Sequence, residues 1–158
     1  MAHLKTVSAT TKTWSELSVD VIAVGIFSGG KLPPMAKDVD EAVGGQLRTA
    51  IKGGDITGRA GETRLFFGKK YRLMAVGLGE KRKLDLEQIR RASGTVARTA
   101  IRNKLATVLM EDFAQDKEGA AQAQAEGVIL GSYQFLDYKT MNKDCLLYTS
   151  DAADDSLV

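Results

Sequence analysis

The chain has 158 residues, enough for one domain with a hydrophobic core and hardly for two. Its composition, 44% hydrophobic and 27% charged, is that of an ordinary globular protein, and no apolar run approaches the roughly 18 residues that cross a bilayer. Its 22 basic and 20 acidic residues balance too evenly to predict nucleic-acid binding, and its single cysteine, Cys145, excludes an internal disulfide.

The first third of the chain predicts two strands and a broken helix. Residues 4–8 alternate weakly between apolar and polar, which predicts an edge strand. Residues 20–27 form a nearly continuous apolar run, typical of a strand that is buried on both faces. Apolar residues then recur at helical spacing over residues 35–51, where Gly44 and Gly45 indicate a break in the helix.

A hairpin and the clearest helix follow a glycine-rich connection. Residues 63–67 and 72–78 predict two strands joined by a short basic turn. Residues 85–103 predict a helix, because Asp85 can accept hydrogen bonds from the first turn and Gln88 stands three residues further on, as in a capping box. One face of this helix carries an apolar stripe of Leu86, Ile89, Ala92, Val96 and Ala100.

The remaining pattern predicts one more strand, over residues 104–110, and one more helix, over residues 117–133. Ala121 and Ala125 are four residues apart, so we expect this small-residue face of the helix to lie close to a sheet. Strands separated by helices predict an α/β fold with a mixed, mostly parallel sheet and helices on both of its faces.

The last fourteen residues differ in character from everything before them. They follow no strand or helix period and turn abruptly acidic. The stretch from residue 145 to 155 resembles the translation of a transposase adapter used in sequencing libraries. We therefore expect one domain over residues 1–143, a disordered non-native tail over residues 144–158, and a natural gene that continues past Lys143.

One segment matches most of a phosphate-binding loop. Gly25-Ile-Phe-Ser-Gly-Gly-Lys31 fits G-x-x-x-x-G-K, but Leu32 stands where a Ser or Thr must supply a hydroxyl to magnesium. A helix should also begin there, and the Pro33-Pro34 pair is expected to block a regular helix entry. The segment is therefore interpreted as a glycine turn at the end of a strand.

A second glycine motif is half of a dinucleotide fingerprint. Val76-Gly-Leu-Gly-Glu80 supplies two glycines of G-x-G-x-x-G, but Arg82 occupies the third position. Asn103 and Lys104 stand where the acidic ribose-binding residue belongs. A turn that ends a strand explains this motif better.

The remaining chemistry-bearing residues predict no catalytic, cofactor-binding or metal-ligating position. His3 is the single histidine and lies at the extreme amino terminus, which leaves neither a zinc-type His/Cys cluster nor a histidine triad. The acidic groups are interpreted as solvated turns and the basic groups as a solvated face, with a weak anion-binding or nucleic-acid-binding surface as the alternative. The acidic groups are Asp38, Asp40, Glu41 and Glu111-Asp112, and the basic groups are Lys69, Lys70, Arg72, Lys81-Arg82-Lys83 and Arg90-Arg91.

Several stretches, in their order and spacing over residues 3–143, resemble the amino-terminal domain of the leucyl (cytosol) aminopeptidases. The earlier ones are Asp40-Glu-Ala-Val-Gly-Gly-Gln46, Gly58-Arg-Ala-Gly-Glu-Thr63 and Ala75-Val-Gly-Leu-Gly-Glu80. The later ones are Ile89-Arg-Arg-Ala-Ser-Gly-Thr-Val-Ala-Arg98, Ala125-Glu-Gly-Val-Ile-Leu-Gly-Ser-Tyr-Gln-Phe135 and Tyr138-Lys-Thr140.

The resemblance implies a macro-like α/β domain in which Tyr133, Phe135 and Tyr138 lie just before the crossing into a catalytic domain. In this family that second domain binds two divalent metals (zinc, manganese or magnesium) and removes amino-terminal residues from peptides with metal-activated water. Its Asn-Thr-Asp-Ala-Glu-Gly-Arg signature does not occur in this sequence, so no site residue carries over and we expect the fragment to be inactive.

The resemblance also implies a homo-hexamer for the full-length protein, whose partners would be its own catalytic domain and peptide substrates. The lack of a long apolar run predicts no membrane partner. The start of the chain lacks the basic-then-apolar order of a secretory signal, which predicts a cytoplasmic protein. Two other functions stay open at this point. One is a stand-alone macro-like module that binds a nucleotide-type ligand, and the other is a DNA-contacting accessory domain.

Overall fold

The computed structural model describes residues 4, 6–29, 31–114 and 117–133. Within these residues, strands and helices alternate along the chain, with short 3₁₀ helices at Trp14–Glu16 and Lys81–Lys83. The order is β1 (Val21–Phe27), α1 (Pro34–Ala42), α2 (Gln46–Lys52), β2 (Thr63–Phe67), β3 (Arg72–Gly79), α3 (Leu86–Arg102), β4 (Val108–Met110) and α4 (Ala120–Ser132).

The four strands form one sheet in the order β2-β3-β1-β4. β1 runs parallel to both β3 and β4, whereas β2 pairs antiparallel with β3 as the predicted hairpin. β1 occupies the interior of the sheet, which explains why its sequence is apolar at nearly every position. The predicted mixed, mostly parallel sheet is confirmed.

Helices cover both faces of the sheet, as the sequence predicts. Ile22, Val24 and Ile26 of β1 share an apolar cluster with α1 and α2. Val21 and Ala23 point to the other face and share a cluster with α3 and the start of α4. The alternation of side chains along β1 therefore divides the core into two halves, one on each side of the sheet.

The predicted helix over residues 35–51 is two helices, with the break where the glycines indicated it. Gly44 and Gly45 have φ of 82° and 74°, a conformation that glycine adopts without strain. The expected block at the proline pair is wrong, because α1 begins at Pro34. Proline is favoured at the first helical position, since the N–H that it lacks has no partner within the helix there.

α3 begins where its capping signal predicts, because the Asp85 carboxylate accepts a hydrogen bond from the Gln88 N–H at 2.7 Å. Four residues of its predicted stripe are buried in the core, and they are Ile89, Ala92, Val96 and Ala100.

α4 contradicts the expectation that Ala121 and Ala125 would lie against a sheet. Ala121 is exposed, and α4 packs mainly on α3. Gly127 and Gly131 form the contact: a β-carbon on Gly131 would lie 2.5 Å from the Cα of Gly94. The face of α4 that packs closely on its neighbour is therefore the one that carries these glycines, not the one that carries Ala121.

Two predicted strands differ from those observed. Residues 4 and 6–8 are not part of the sheet, because Leu4 instead packs beside Ala97 and Val128 on the outer helical layer. β4 spans Val108–Met110 instead of the predicted 104–110. Lys104 has φ of 56°, which cannot continue a strand.

The proposed tail, its boundary at residue 143, and Phe135 and Tyr138 all lie outside the described residues. In the described part of the chain, no helix has both the length and the apolar character needed to cross a membrane.

Candidate functional site

The carboxyl edge of the sheet carries a shallow cleft of about 290 Å³. Parallel strands β1 and β3 both end there, and ligands of open α/β sheets bind at such edges. The first turn of α3 contributes Gln88 to one wall. The lining residues are Ser28, Arg59, Ala60, Leu78, Gly79, Glu80, Lys83 and Gln88.

The loop from residue 57 to 62 closes down on this edge. The Glu62 carboxylate accepts hydrogen bonds from the N–H and hydroxyl of Thr57 and from the Gly58 N–H, at 2.7–3.0 Å. Although desolvation opposes it, these bonds and the neighbouring Arg59 lower the pKa of Glu62. The Gly58 carbonyl in turn accepts from the Gly79 N–H at 2.9 Å, so the loop is fixed to the end of β3.

The charged groups of the cleft pair with one another. The Arg59 Nε lies 3.4 Å from Glu62, and the Lys83 Nζ lies 3.5 Å from Glu80. Arg82 approaches the same Glu80 carboxylate at 3.1 Å. Three cations thus share two carboxylates here, so most of the positive charge around the cleft is matched by a neighbouring acid.

The two glycine motifs of the sequence serve the packing of this edge. Gly25 lies inside β1, and its N–H donates to the Glu111 carboxylate instead of facing a phosphate. Gly77 lies against the backbone of Arg59 and Gly58, where any β-carbon would collide with the Arg59 carbonyl. The dinucleotide-like spacing therefore reflects a close approach of the closing loop to β3, and position 30 of the first motif lies outside the described residues.

The solvated-turn interpretation of the acidic groups is wrong at Asp40. This side chain is fully buried, and its carboxylate accepts from the Leu47 N–H at 2.7 Å and the Arg48 N–H at 3.1 Å. It therefore caps the first turn of α2, where Gly45 offers no side chain. Asp38 and Glu41, in contrast, are exposed as expected.

Glu111 also departs from the solvated-turn interpretation, whereas its neighbour Asp112 is exposed. Glu111 is partly buried beside β1. Burial raises the pKa of its carboxyl to about 7, with the charge of Asp112 acting in the same direction. The hydrogen bond from Gly25 opposes this rise without cancelling it. An adjacent pair of acids in the sequence gives no signal that one of them is partly buried against a strand.

The basic groups are exposed or partly exposed, as the solvated interpretation predicts, and half of them form ion pairs with nearby acids. Arg90 lies 3.3 Å from Glu126 of α4, and both Arg90 and Arg91 approach Glu87 within their own helix, at 3.5 and 3.2 Å. Exposed pairs of this kind contribute little to stability. The turn at residues 68–71 presents its lysines to solvent on a different part of the fold.

The metals implied by the family resemblance do not fit this part of the protein. Among the described residues, no group of three or more His, Cys, Asp or Glu side chains could hold a metal ion. His3 and Cys145 lie outside those residues.

Comparison with known proteins gives a consistent family. The model of the "Cytosol aminopeptidase family, N-terminal domain" matches residues 23–142. A probable cytosol aminopeptidase of Geotalea uraniireducens is 36% identical over 129 residues, which cover 76% of this chain and 26% of the relative. The chain thus spans about a quarter of the length of such curated relatives.

Solved structures show the same fold. A mutant of tomato leucine aminopeptidase superposes with a TM-score of 0.77 at 20% identity, covering 94% of this chain and 32% of that one. The macrodomain of Mycobacterium tuberculosis DarG gives a TM-score of 0.59 at 10% identity, covering 96% and 99%. These likenesses concern the fold, which is that of an aminopeptidase amino-terminal domain and, more distantly, of a macrodomain.

Proposed function

Because this chain belongs to the cytosol aminopeptidase family, as its amino-terminal domain, we propose that it serves as the non-catalytic part of a metal-dependent aminopeptidase. The match of the family model over residues 23–142 carries this proposal. The geometry supports it, since the cleft at the sheet edge is shallow and its charged residues form ion pairs. The proposed domain extends through residue 143, with residues 144–158 foreign to it.

The chemistry of the whole protein is proposed to reside in a second domain that follows this one. There, two divalent metals (zinc, manganese or magnesium) would activate water for the removal of amino-terminal residues from peptides. The amino-terminal domain would contribute no ligand to these metals and would contact the catalytic domain. The full-length protein is proposed to be cytoplasmic, in keeping with the family name. It is also proposed to assemble as a homo-hexamer.

An activity assay tests this division of labour. The purified chain should not hydrolyse leucine p-nitroanilide with either manganese or zinc added, because the described residues offer no metal-binding group. The full-length Geotalea uraniireducens relative, assayed in parallel, is the positive control. Metal-dependent turnover that stays with the chain through repurification would show that the proposed division is wrong.

A further inference from the structure

The edge of the sheet at β2 has no neighbouring strand among the described residues, because the strand order begins there. Just before β2, the Glu62 carbonyl accepts from the Gly77 N–H of β3 at 2.9 Å. Backbone groups alternate in direction along a strand, so the even-numbered residues of β2 bond to β3 and the odd-numbered ones point outward. In agreement, the Phe67 carbonyl accepts from the Gln46 Nε2 of α2, outside the sheet, at 2.8 Å.

The outward backbone groups of Thr63 and Leu65 are therefore open to a further strand. Among the residues that the structure describes, none donates to these carbonyls or accepts from these N–H groups. Gln46 closes the edge at the Phe67 carbonyl, so the open stretch is short. An unpaired edge of this kind is a template on which an extended peptide can pair.

The hairpin that carries this edge is positively charged. Residues 63–79 include four basic side chains and no acidic one. Within the described ranges none of the four forms an ion pair, whereas the cations at the cleft do. An acidic chain that approaches the edge is therefore attracted to it. The four basic residues are Arg64, Lys69, Lys70 and Arg72.

The same edge also carries an exposed aromatic ring. Phe67 is 62% exposed, and the Arg72 guanidinium lies over it, 5.4 Å from the ring centre. Phe67 shares a face of β2 with Leu65, because side chains two residues apart point the same way, and Arg64 points to the opposite face. A strand placed beside β2 would thus meet apolar groups on one face and a guanidinium on the other.

Charge and backbone chemistry decide between the possible occupants of this edge. A second copy of the chain would bring the same four cations to it, and like charges on edge strands oppose self-pairing. A nucleic acid would attract the cations, but its phosphates offer no donors to the Thr63 and Leu65 carbonyls. A peptide backbone offers both donors and acceptors at the spacing of a strand.

We propose that the open edge of β2 binds an extended acidic segment of a partner protein, which joins the sheet as a further strand. Apolar side chains of the segment pack on Leu65 and Phe67. Its acidic side chains face Arg64 and the two lysines of the turn, Lys69 and Lys70. This surface does not depend on the proposed function.

An NMR titration with a blocked hexapeptide of alternating glutamate and valine tests this surface. The Thr63, Leu65 and Phe67 amide shifts should saturate, and exchange of the Leu65 N–H with solvent should slow, because that group gains an acceptor. A hexapeptide of alternating lysine and valine is the matched control. At low salt it should bind more weakly by on the order of tenfold, because it repels the hairpin.

Three results of this titration would overturn the proposal. The first is the absence of shifts at these amides, and the second is equal binding of the two peptides. The third is tighter binding at the hairpin by a short oligothymidylate than by the acidic peptide, which would identify a nucleic-acid surface.

Substitutions separate backbone pairing from charge. Leu65→Pro removes an outward N–H and leaves the bonds to β3 intact, a position at which edge strands tolerate proline. Followed at the Thr63 amide, the acidic peptide should bind roughly fivefold more weakly to this variant than to Leu65→Val, which retains the N–H. Equal binding would contradict strand addition, because the peptide would then be held by side chains alone. Should Leu65→Pro fail to fold, the Leu65 exchange rate in the unmodified chain decides the same question, and an unchanged rate overturns the proposal.

The double variant Lys69→Glu, Lys70→Glu tests the selection for acidic partners. Both side chains are exposed, so the fold should be unaffected, and the lysine–valine peptide should now bind more tightly than the glutamate–valine peptide. Lys117→Glu, an exposed position outside the hairpin, is the control and should leave the preference for the acidic peptide unchanged. A preference that survives in the double variant would show that the charge of the hairpin does not choose the partner, contrary to the proposal.

Discussion

The two helical layers of this domain are held in place by different means. On one face of the sheet, α1 and α2 are short, and the buried Asp40 carboxylate joins the end of one to the start of the other. On the other face, α3 and α4 are longer, and they meet where Gly127 and Gly131 bring their backbones into contact. The contact of the Asp40 carboxylate with the Leu47 and Arg48 amides is called the polar joint. The close approach of Gly127 and Gly131 to the backbone of α3 is called the glycine joint.

This difference determines what each layer tolerates. A buried carboxylate that satisfies helix amides cannot be removed without leaving donors unpaired in the core. A glycine contact has no group to remove, but it cannot accept an additional atom. The α1–α2 layer should therefore be sensitive to deletion of atoms, and the α3–α4 layer should be sensitive to their addition.

The largest effect is expected at the polar joint. Asp40→Ala leaves the Leu47 and Arg48 amides without their acceptor, and each buried unpaired donor costs about 1–3 kcal/mol, so we expect a loss of about 3 kcal/mol in the free energy of unfolding. Urea denaturation measures it. Arg48→Ala is the control, because that side chain is 57% exposed and its ion pair should contribute less than about 1 kcal/mol. Equal effects of the two changes would show that the ion pair, rather than the cap, holds the joint.

The glycine joint should show a smaller but clear effect. A β-carbon on Gly127 would lie 2.8 Å from the Ser93 Cβ and closer still to the Arg90 carbonyl, which cannot move without shifting α3. Overpacking of this kind costs about 1–3 kcal/mol, and alanine returns up to about 1 kcal/mol of helix propensity, so Gly127→Ala should destabilise by about 1–2 kcal/mol.

Gly94→Ala is the matched comparison on the facing helix. Its nearest obstacles are the flexible end of Arg98 at 3.1 Å and the Gly127 carbonyl at 3.3 Å, both milder than the obstacles at Gly127. The substitution should therefore destabilise less than Gly127→Ala in the same urea titration. A loss of similar size in both variants would mean that the helices resist any added atom, and that Gly127 has no special place in the contact.

The sequence reveals the cap of α3 but not the cap that Asp40 forms on α2, for a physical reason. The cap of α3 lies within a four-residue window, so Asp85 and Gln88 reveal it locally. Asp40 caps amides seven and eight residues away, across the break at Gly44 and Gly45, and no local rule connects them. The periodicity of apolar residues nevertheless predicts the helices and the strands themselves, because each of these elements buries a continuous apolar face.

The sequence also gives no signal of the glycine joint or of the hydrogen bond between Gly25 and Glu111. Glycine carries no side chain, so the pattern of α4 points to Ala121, which is exposed, instead of Gly127. Likewise, nothing in the pair Glu111-Asp112 shows that one carboxyl accepts a hydrogen bond from the Gly25 N–H of β1. The family is readable from ordered stretches of sequence, whereas these contacts depend on the approach of distant backbones.

The smallest effect on stability is expected on the outer side of α4, away from both joints. Leu130 is 69% exposed on the last turn of this helix, and Tyr133, just after it, is 65% exposed. Leu130→Ser removes little buried area, so the free energy of unfolding should change by no more than about 0.5 kcal/mol. Large exposed apolar groups mark surfaces that associate, so light scattering should show less self-association in the variant. Val128→Ala, on the buried side of the same helix, should instead cost about 2 kcal/mol. If Leu130→Ser destabilises as much as Val128→Ala, the outer side of α4 is part of the core, and the glycine contact with α3 is only one of two surfaces that hold this helix.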